Sequence, residues 1–577
     1  MRMCVRVMSF SDYLPRIDDG AAASLPPRSR RIRLAIILTL HALALIAMAR
    51  TEVGPIAFAL YLLTWGLLNF FWLAVLRRPA IAALISLAMI ETIIQLSYFK
   101  FEITWMTISF LDLLIVDTDT FKFLLSVSPT LRLGIVIGAV IAVPLLVLIW
   151  RGDPFRLRRK VCTLGAAGCM TVIAILSILV PEQPSDPFQG VNHVSSFMRS
   201  GITAAFQLST HGWLDSDREL AVHLKSTAGA ACAPERKLPH IVMILDESSF
   251  DITAAPGIKV PEDYHEHFRS SDGKIRKFMV ESTGGPTWYT EYNVLAGLSV
   301  KSFGKLMFYV TRIAAGRVER GLPQALRHCG YNTFSLYPAY GAFLNARRFQ
   351  ASTGVQKLYD QEEMGARDVE PDTFYYNQAE KIIAREKGKG PVFTFVYTVA
   401  NHFPWDDPYR PDLTPDWKAP GNTHEIDEYI RRQAISAVEY QDFKKRLARD
   451  FPGEQFLIVR FGDHQPYISS KFLEPGQKIT DIAHNIMVGD PRYYTTYYAV
   501  DGVNYKPADL SSALDTLDAP YLPLVVLEAA GLPLDPTFAE QKAVMKRCGG
   551  MFFRCNNGAE ARRFNRLLID AGLIKGL

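Results

Sequence analysis

Five apolar stretches in the first third of the chain, Leu34 to Ala49, Pro55 to Leu76, Pro79 to Phe99, Leu133 to Trp150 and Val161 to Val180, limit its possible folds more than any other feature. Most come close to the ~20 residues that a helix needs to cross the hydrocarbon layer. Core helices of a water-exposed domain would not come five in succession with charge confined to the connections, so residues 1–180 read as a five-helix transmembrane bundle. The first stretch is short and carries His41. The third carries Glu91 and Gln95, polar groups that at such depth are expected to face a neighbouring helix or a water-filled cavity. Residues 1–27 hold no apolar segment of the kind a cleaved signal peptide needs.

The basic residues set the expected orientation. Arg28, Arg30, Arg31 and Arg33 precede the first span, Arg77 and Arg78 separate the second from the third, and Arg151, Arg156, Arg158, Arg159 and Lys160 separate the fourth from the fifth. The positive-inside rule puts these connections and the N-terminus in the cytoplasm, so everything after Val180 is exported. The loop from Lys100 to Arg132 then also lies outside, and its run from Ile103 to Leu114 suits the membrane interface. Basic loops and an exported domain with several cysteines fit the inner membrane of a bacterium.

A chain of 577 residues exceeds one hydrophobic core. Residues 181–239, with Pro184 and Pro187 close behind the last span, read as a linker at the membrane surface, and residues 240–577 as a separate domain. There, apolar runs alternate with helical patterns: strands are expected at His240 to Glu247, Asn332 to Pro338, Val392 to Val399, Phe456 to Gly462, Arg492 to Val500 and Pro523 to Leu527, with helices at Leu322 to Cys329 and Ile426 to Arg449. Such alternation predicts an α/β domain with a mostly parallel central sheet covered on both faces. Lys+Arg 63 against Asp+Glu 58 leaves a charge of +5, and the basic loops account for it; no basic stripe with interleaved aromatics points to nucleic acid.

Of seven cysteines, Cys4, Cys162 and Cys169 fall before or within the spans, while Cys232, Cys329, Cys548 and Cys555 fall where oxidation is allowed. Cys548 and Cys555 bracket Gly-Gly-Met-Phe-Phe-Arg, and a disulfide closing that loop is expected rather than a metal site.

Two of the expected strands end in chemistry. The first runs into Glu247, and the strand from Phe456 runs into Gly-Asp463-His464-Gln-Pro. Two carboxylates and an imidazole converging at the carboxyl edge of a sheet are a donor set for a hard or borderline divalent cation. Between them, Glu281-Ser-Thr-Gly-Gly-Pro-Thr287-Trp-Tyr-Thr-Glu291 offers a threonine that opens a helix after a glycine turn. Thr287 is either a plain N-cap or a hydroxyl placed to ionise beside a dication, where an anion also docks against the helix N-terminus.

The order strand-Glu247, Gly-Gly-Pro-Thr287-x-x-x-Glu291, Asn401-His402-Phe-Pro and Gly-Asp463-His464-Gln-Pro resembles the alkaline phosphatase and sulfatase superfamily. Within it the chain is similar to the lipoteichoic acid synthase and phosphoglycerol or phosphoethanolamine transferase group, which also carries five spans before an extracytoplasmic domain. The resemblance implies a sulfatase-like fold and an enzyme holding one divalent ion, Mn, Mg or Zn, on Glu247, Thr287, Asp463 and His464. It implies Thr287 as the nucleophile on the phosphorus of a phospholipid donor, a phosphothreonine intermediate, and a glycan or lipid of the envelope as acceptor. His402 matches the family histidine beside the substrate.

Where the family shows an aromatic-Trp-Asn-Arg string for the head group, this chain has Phe343-Leu344-Asn345-Ala346-Arg347-Arg348. Asn345 is kept, the tryptophan is Leu344, and Arg347 or Arg348 is the candidate phosphate clamp. Cys232-Ala-Pro-Glu-Arg236 fits the pattern that sulfatases convert to formylglycine, but it precedes the first metal-binding strand instead of following it. His265 and His267, in an acidic polar stretch, are expected to be solvent-exposed. Three readings stay open: a membrane-anchored transferase, a hydrolase of phosphate or sulfate esters, and a catalytically silent binding protein.

Overall fold

In the computed structural model the chain divides into two units, residues 1–210 and 211–577. The structure describes residues 26–577 apart from 105, 116–120, 122–124, 126–128, 184–185, 211, 220–223, 225–231, 233–236, 368 and 414–415. Cys4, Pro184 and the last four residues of the Cys-x-Pro-x-Arg string lie outside the described residues.

Five helices of the first unit, Pro27–Thr51, Pro55–Leu76, Pro79–Thr104, Pro129–Gly152 and Arg159–Leu179, contain the five segments long and apolar enough to cross a membrane. Four start at proline, which lacks only an N–H that the first turn leaves unpaired anyway. Leu38, Val140, Leu164 and Leu179 are exposed on this unit, as lipid-facing positions must be. The basic connections meet at one end: Leu157 N–H donates to Arg77 O at 3.0 Å, and Asp153 Oδ2 accepts from Ala80 N–H at 2.7 Å. Elsewhere the Glu52 carboxylate accepts from Val194 N–H at 2.9 Å, at the start of a helix, His193–Thr210. That helix lies in the stretch read as linker, yet it packs on the second, third and fifth spans.

Glu91 and Gln95 depart from expectation. Both are exposed on the unit's surface, and Gln95 Nε2 donates to Glu91 Oε1 at 2.7 Å. Four residues is one helical turn, so the pair meets its own polar demand without a facing helix.

The second unit is built on one eight-stranded sheet of order β4-β3-β5-β1-β6-β7-β2-β8. Its strands are β1 His240–Asp246, β2 Arg276–Met279, β3 Asn332–Leu336, β4 Lys357–Tyr359, β5 Val392–Tyr397, β6 Phe456–Gly462, β7 Thr495–Val503 and β8 Thr516–Asp518. β4, β3, β5, β1 and β6 are parallel; β7 runs antiparallel to both β6 and β2. β1, β5 and β6 are buried along their whole length, which explains why they read as unbroken apolar runs instead of alternating ones. Val242, Ile244, Val396 and Ile458 pack against Tyr376, Ile383, Tyr440 and Phe443 of the helices Asp372–Glu386 and His424–Asp450.

One expected strand is a helix: Pro523 to Leu527 lies within Leu522–Ala529, fully buried. A short apolar run carries the same pattern in a buried strand or a buried helix, and Pro523 sits in the first turn, where its missing N–H is harmless. Cys548–Cys555 is a disulfide as expected, and Cys232–Cys329 is a second one. The Cys232 sulfur is therefore engaged and is no candidate for formylglycine.

Candidate active site

Strand register brings the two acid-terminated strands together. In the parallel pair β1 and β6, Asp246 lies opposite Gly462, so Glu247 and Asp463 leave the sheet side by side at its carboxyl edge. Glu247, Asp463 and His464 are all buried, with candidate ligand atoms within 4.8 Å of one another. Ser248 turns the chain after Glu247 at φ 52°, a left-handed conformation costing a non-glycine residue roughly 1–3 kcal/mol. Two bonds hold it there: Ser248 N–H donates to Asp463 Oδ1 and its hydroxyl to Glu247 Oε1, both at 2.8 Å. Gly462 makes room for that turn, because a Cβ at this position would stand 1.8 Å from Ser249 O.

Thr287 starts the helix Thr287–Ala296. The preceding Gly284 and Gly285 have φ of 73° and 158°, which glycine adopts freely. Gly284 N–H donates to Gln465 O at 2.9 Å and the Thr290 hydroxyl to Asp463 O at 2.6 Å, so turn and helix are both tied to the exit of β6. The result sets Thr287 Oγ1 3.4 Å from Glu247 Oε2 and 3.4 Å from His464 Nε2.

The electrostatics ask for positive charge. Burial, reinforced by the neighbouring Glu247 carboxylate, pushes Asp463 up to about 7. Burial would lower His464, but Asp463 and Glu247 outweigh it and raise the imidazole to about 9. Burial would likewise raise Glu247; hydrogen bonding and charge from His464, with the charge of His402, hold it below the usual carboxylate range. Asp463 Oδ2 is buried and accepts no hydrogen bond; its compensation is the charge of His464 Nε2, 3.2 Å away, a place that a bound cation could take. His464 Nδ1 lies 2.9 Å from Gln465 O, which can only accept, so Nδ1 keeps a proton and Nε2, facing the carboxylates, is the nitrogen that would give up its proton to a cation. These residues fit a divalent cation.

His402 is half-buried at the end of β5, with Nδ1 2.7 Å from Phe403 O. Its charge acts on the Glu247 carboxylate. Asn345 and Leu344 are both left-handed, at φ 61° and 45°, and Phe343 packs edge-on to Trp288, the residue after Thr287. Arg347 corrects an expectation: its guanidinium donates to Leu358 O at 2.8 Å, Asp360 Oδ2 at 2.6 Å and Glu363 Oε2 at 2.9 Å. Three of its five N–H groups are thus engaged, and they tie this segment to β4 and the turn after it. Arg348 is exposed and has no ion pair among the described residues.

His267 is also corrected. It is buried, 2.8 Å from Asp246 Oδ2, which also accepts from Tyr497 OH at 2.5 Å. The signal was present: His267 shares a helical face with Tyr264 and adjoins Phe268, both buried aromatics. Glu291 was seen only as part of a motif; it lies on the buried face of the Thr287 helix and accepts from Gln350 Nε2 at 2.9 Å.

Residues 275–489 match the Sulfatase family model. No curated protein matches the chain by sequence comparison. Among solved structures the chain is similar to the phosphoglycerol transferase GacH of Streptococcus pyogenes, at 15% identity over 60% of this chain and 89% of that one with a TM-score of 0.43. It is similar to the lipooligosaccharide phosphoethanolamine transferase A of Neisseria meningitidis at 11% identity over 83% and 96%, TM-score 0.42. The lipoteichoic acid synthase LtaP of Listeria monocytogenes gives 16% over 57% and 78%, TM-score 0.39. The Sulfatase match thus spans Thr287, Asp463 and His464 and falls within the second unit, which follows five apolar helices in the chain.

Proposed function

We propose that the protein is a membrane-anchored, metal-dependent transferase that moves a phosphoglycerol or phosphoethanolamine head group from a phospholipid to a glycan or lipid of the bacterial envelope. The observation that supports it best is the Thr287 hydroxyl, at a helix start and 3.4 Å from both Glu247 Oε2 and His464 Nε2. Five spans suit a donor that lives in the membrane. The N-terminus lies in the cytoplasm and the sulfatase-like domain outside it.

Glu247, Asp463 and His464, with Thr287, would hold one divalent ion, Mn, Mg or Zn. Such an ion supplies Lewis acidity, which favours an ionised hydroxyl and offsets charge on a phosphoryl group. Thr287 Oγ1 attacks phosphorus, its proton passing toward Glu247 Oε2, and the bond from phosphorus to the diacylglycerol oxygen breaks. His402, protonated at Nε2, gives that oxygen a proton, which leaves diacylglycerol and phosphothreonine. In the second displacement His402 Nε2 takes the proton from the acceptor hydroxyl, whose oxygen attacks phosphorus; the bond from phosphorus to Thr287 Oγ1 breaks, and Oγ1 takes back the proton that Glu247 received. N–H groups at the start of the Thr287 helix bind the phosphoryl oxygens, and Asn345 and Arg348 face the head group.

Intact mass and peptide mapping after incubation with phosphatidylglycerol or phosphatidylethanolamine and a divalent cation test this. A glycerophosphate or ethanolamine-phosphate adduct on Thr287 is expected. Release of free phosphate or free head group to water, with no transfer to any hydroxyl acceptor, would make the enzyme a hydrolase.

A further inference from the structure

Between β5 and the helix His424–Asp450 the described residues form neither helix nor strand, so the segment bearing His402 needs another source of order. Two buried arginines on that helix supply it. Glu428, Arg431 and Arg432 are 3%, 5% and 5% exposed. Arg432 Nη1 donates to His402 O at 2.8 Å, and its Nη2 to Pro404 O at 2.9 Å and Asp407 O at 3.0 Å. Arg431 Nη2 donates to Tyr409 O at 2.9 Å. Glu428 accepts from Arg431 Nε at 2.8 Å, Arg432 Nε at 2.6 Å and Tyr409 N–H at 2.8 Å. Four carbonyls of one loop thus converge on two guanidinium groups that share one carboxylate.

A buried Arg–Glu–Arg group is a poor source of stability, because desolvating three charges offsets their attraction. What it gives is direction: the planar fork fixes where each carbonyl points, which a lysine ammonium cannot do. We propose that Arg432, aligned by Glu428 and Arg431, is the positioning residue that aims His402 at the reacting phosphoryl group; this rests on the role given to His402 above. The His402 carbonyl is held by Arg432, and its ring by Nδ1 against Phe403 O, whose neighbouring carbonyl at Pro404 is held by Arg432 as well. The aim of Nε2 is therefore fixed from both sides.

The test is a double-mutant cycle on the purified full-length protein, with vesicles of phosphatidylglycerol or phosphatidylethanolamine and a divalent cation. His402→Gln and Arg432→Lys are each expected to lower kcat about 10²-fold, the lower range for a lost proton-transfer group, with KM for donor within about twofold. Both should lose the same limb of the kcat–pH profile, and the double variant should be no slower than His402→Gln alone. Losses that multiply, or an Arg432→Lys enzyme of full activity, would overturn the positioning role. If His402→Gln alone keeps full activity, the His402 reading fails in that variant and the positioning role falls with it. Should Arg432→Lys not fold, Arg431→Lys, which leaves the Arg432 bonds to the His402 and Pro404 carbonyls in place and loosens the Tyr409 end, should cost several-fold in the parent and nothing beside His402→Gln; equal losses in both would overturn the proposal.

Discussion

The candidate metal cluster and the segment proposed to meet the head group are built in opposite ways. Glu247, Asp463, His464 and Thr287 each stand at the end of a buried strand or the start of a helix, and register, the Gly462 contact and the Gly284–Gly285 turn leave them little choice of position. Phe343 to Arg348 is a single turn with two left-handed residues, Leu344 and Asn345, leading into a short helix, Ala346–Ser352. The chemistry common to a fold sits on parts that the sheet fixes, while the parts that choose a substrate sit where side chains can change without moving the sheet.

Removing the nucleophile gives the largest effect expected. Thr287→Ala should lower turnover by about 10³-fold or more. Its thermal midpoint should stay unchanged, since the hydroxyl makes only long contacts of 3.3 to 3.4 Å. Retained turnover would break the comparison at its stronger side.

Rigid, buried placement carries its own electrostatic cost, and Glu291 shows it. Burial lifts this carboxyl to about 7 despite hydrogen bonds from Gln350 and Tyr397. Between the ordinary glutamate value of 4.5 and about 7 the folded protein keeps a proton that the unfolded chain has released, so stability falls as pH rises through that window. The difference is on the order of 3 kcal/mol from the one-unit equivalence of about 1.4 kcal/mol. Glu291→Gln should flatten the pH dependence of denaturant unfolding between pH 5 and 8 by an amount on that order. An unaltered slope would mean that Glu291 is ionised and paired in the folded state.

Metal removal probes the same cluster more gently. A cation present at a hundred times its dissociation constant adds about 2.7 kcal/mol, so chelation should lower the melting temperature of the parent protein by several degrees. In Asp463→Asn, where the oxygen without a hydrogen bond is replaced by an amide, chelation should change nothing. A shift of equal size in both proteins would place the ion elsewhere.

The cluster was legible in the sequence because strand ends declare themselves: an unbroken apolar run stops at Glu247 and again at Asp463, and glycines mark the turns. The five spans were legible for the same reason of simple periodicity and length. Pro523 to Leu527 was misread because a five-residue apolar run does not distinguish strand from helix. His267 and the Arg431–Glu428–Arg432 group were missed because charge and polarity pointed to solvent; the arginines do pair with Glu428 within one helical turn, but what buries them is the loop carbonyls from His402 to Tyr409, as Asp246 and the Arg460 guanidinium bury His267. Such pairing depends on tertiary contact, and no local pattern encodes it.

The two adjacent arginines give the smallest and most discriminating effect. Arg347 is held by Asp360, Glu363 and the Leu358 carbonyl. Because it is about two-fifths exposed, at 43%, its loss should cost under about 1 kcal/mol of stability and leave KM for the lipid donor within about twofold. Arg348 is exposed beside Gly316 and carries no such ties, so Arg348→Ala should leave stability alone and raise KM roughly tenfold, the weight of one charge-assisted contact of about 1.5 kcal/mol. The reverse pattern, with Arg347→Ala raising KM and Arg348→Ala silent, would mean that the Arg347 guanidinium leaves its carboxylates when donor binds. The head-group segment would then be a moving part, and its difference from the cluster would be one of dynamics as well as of construction.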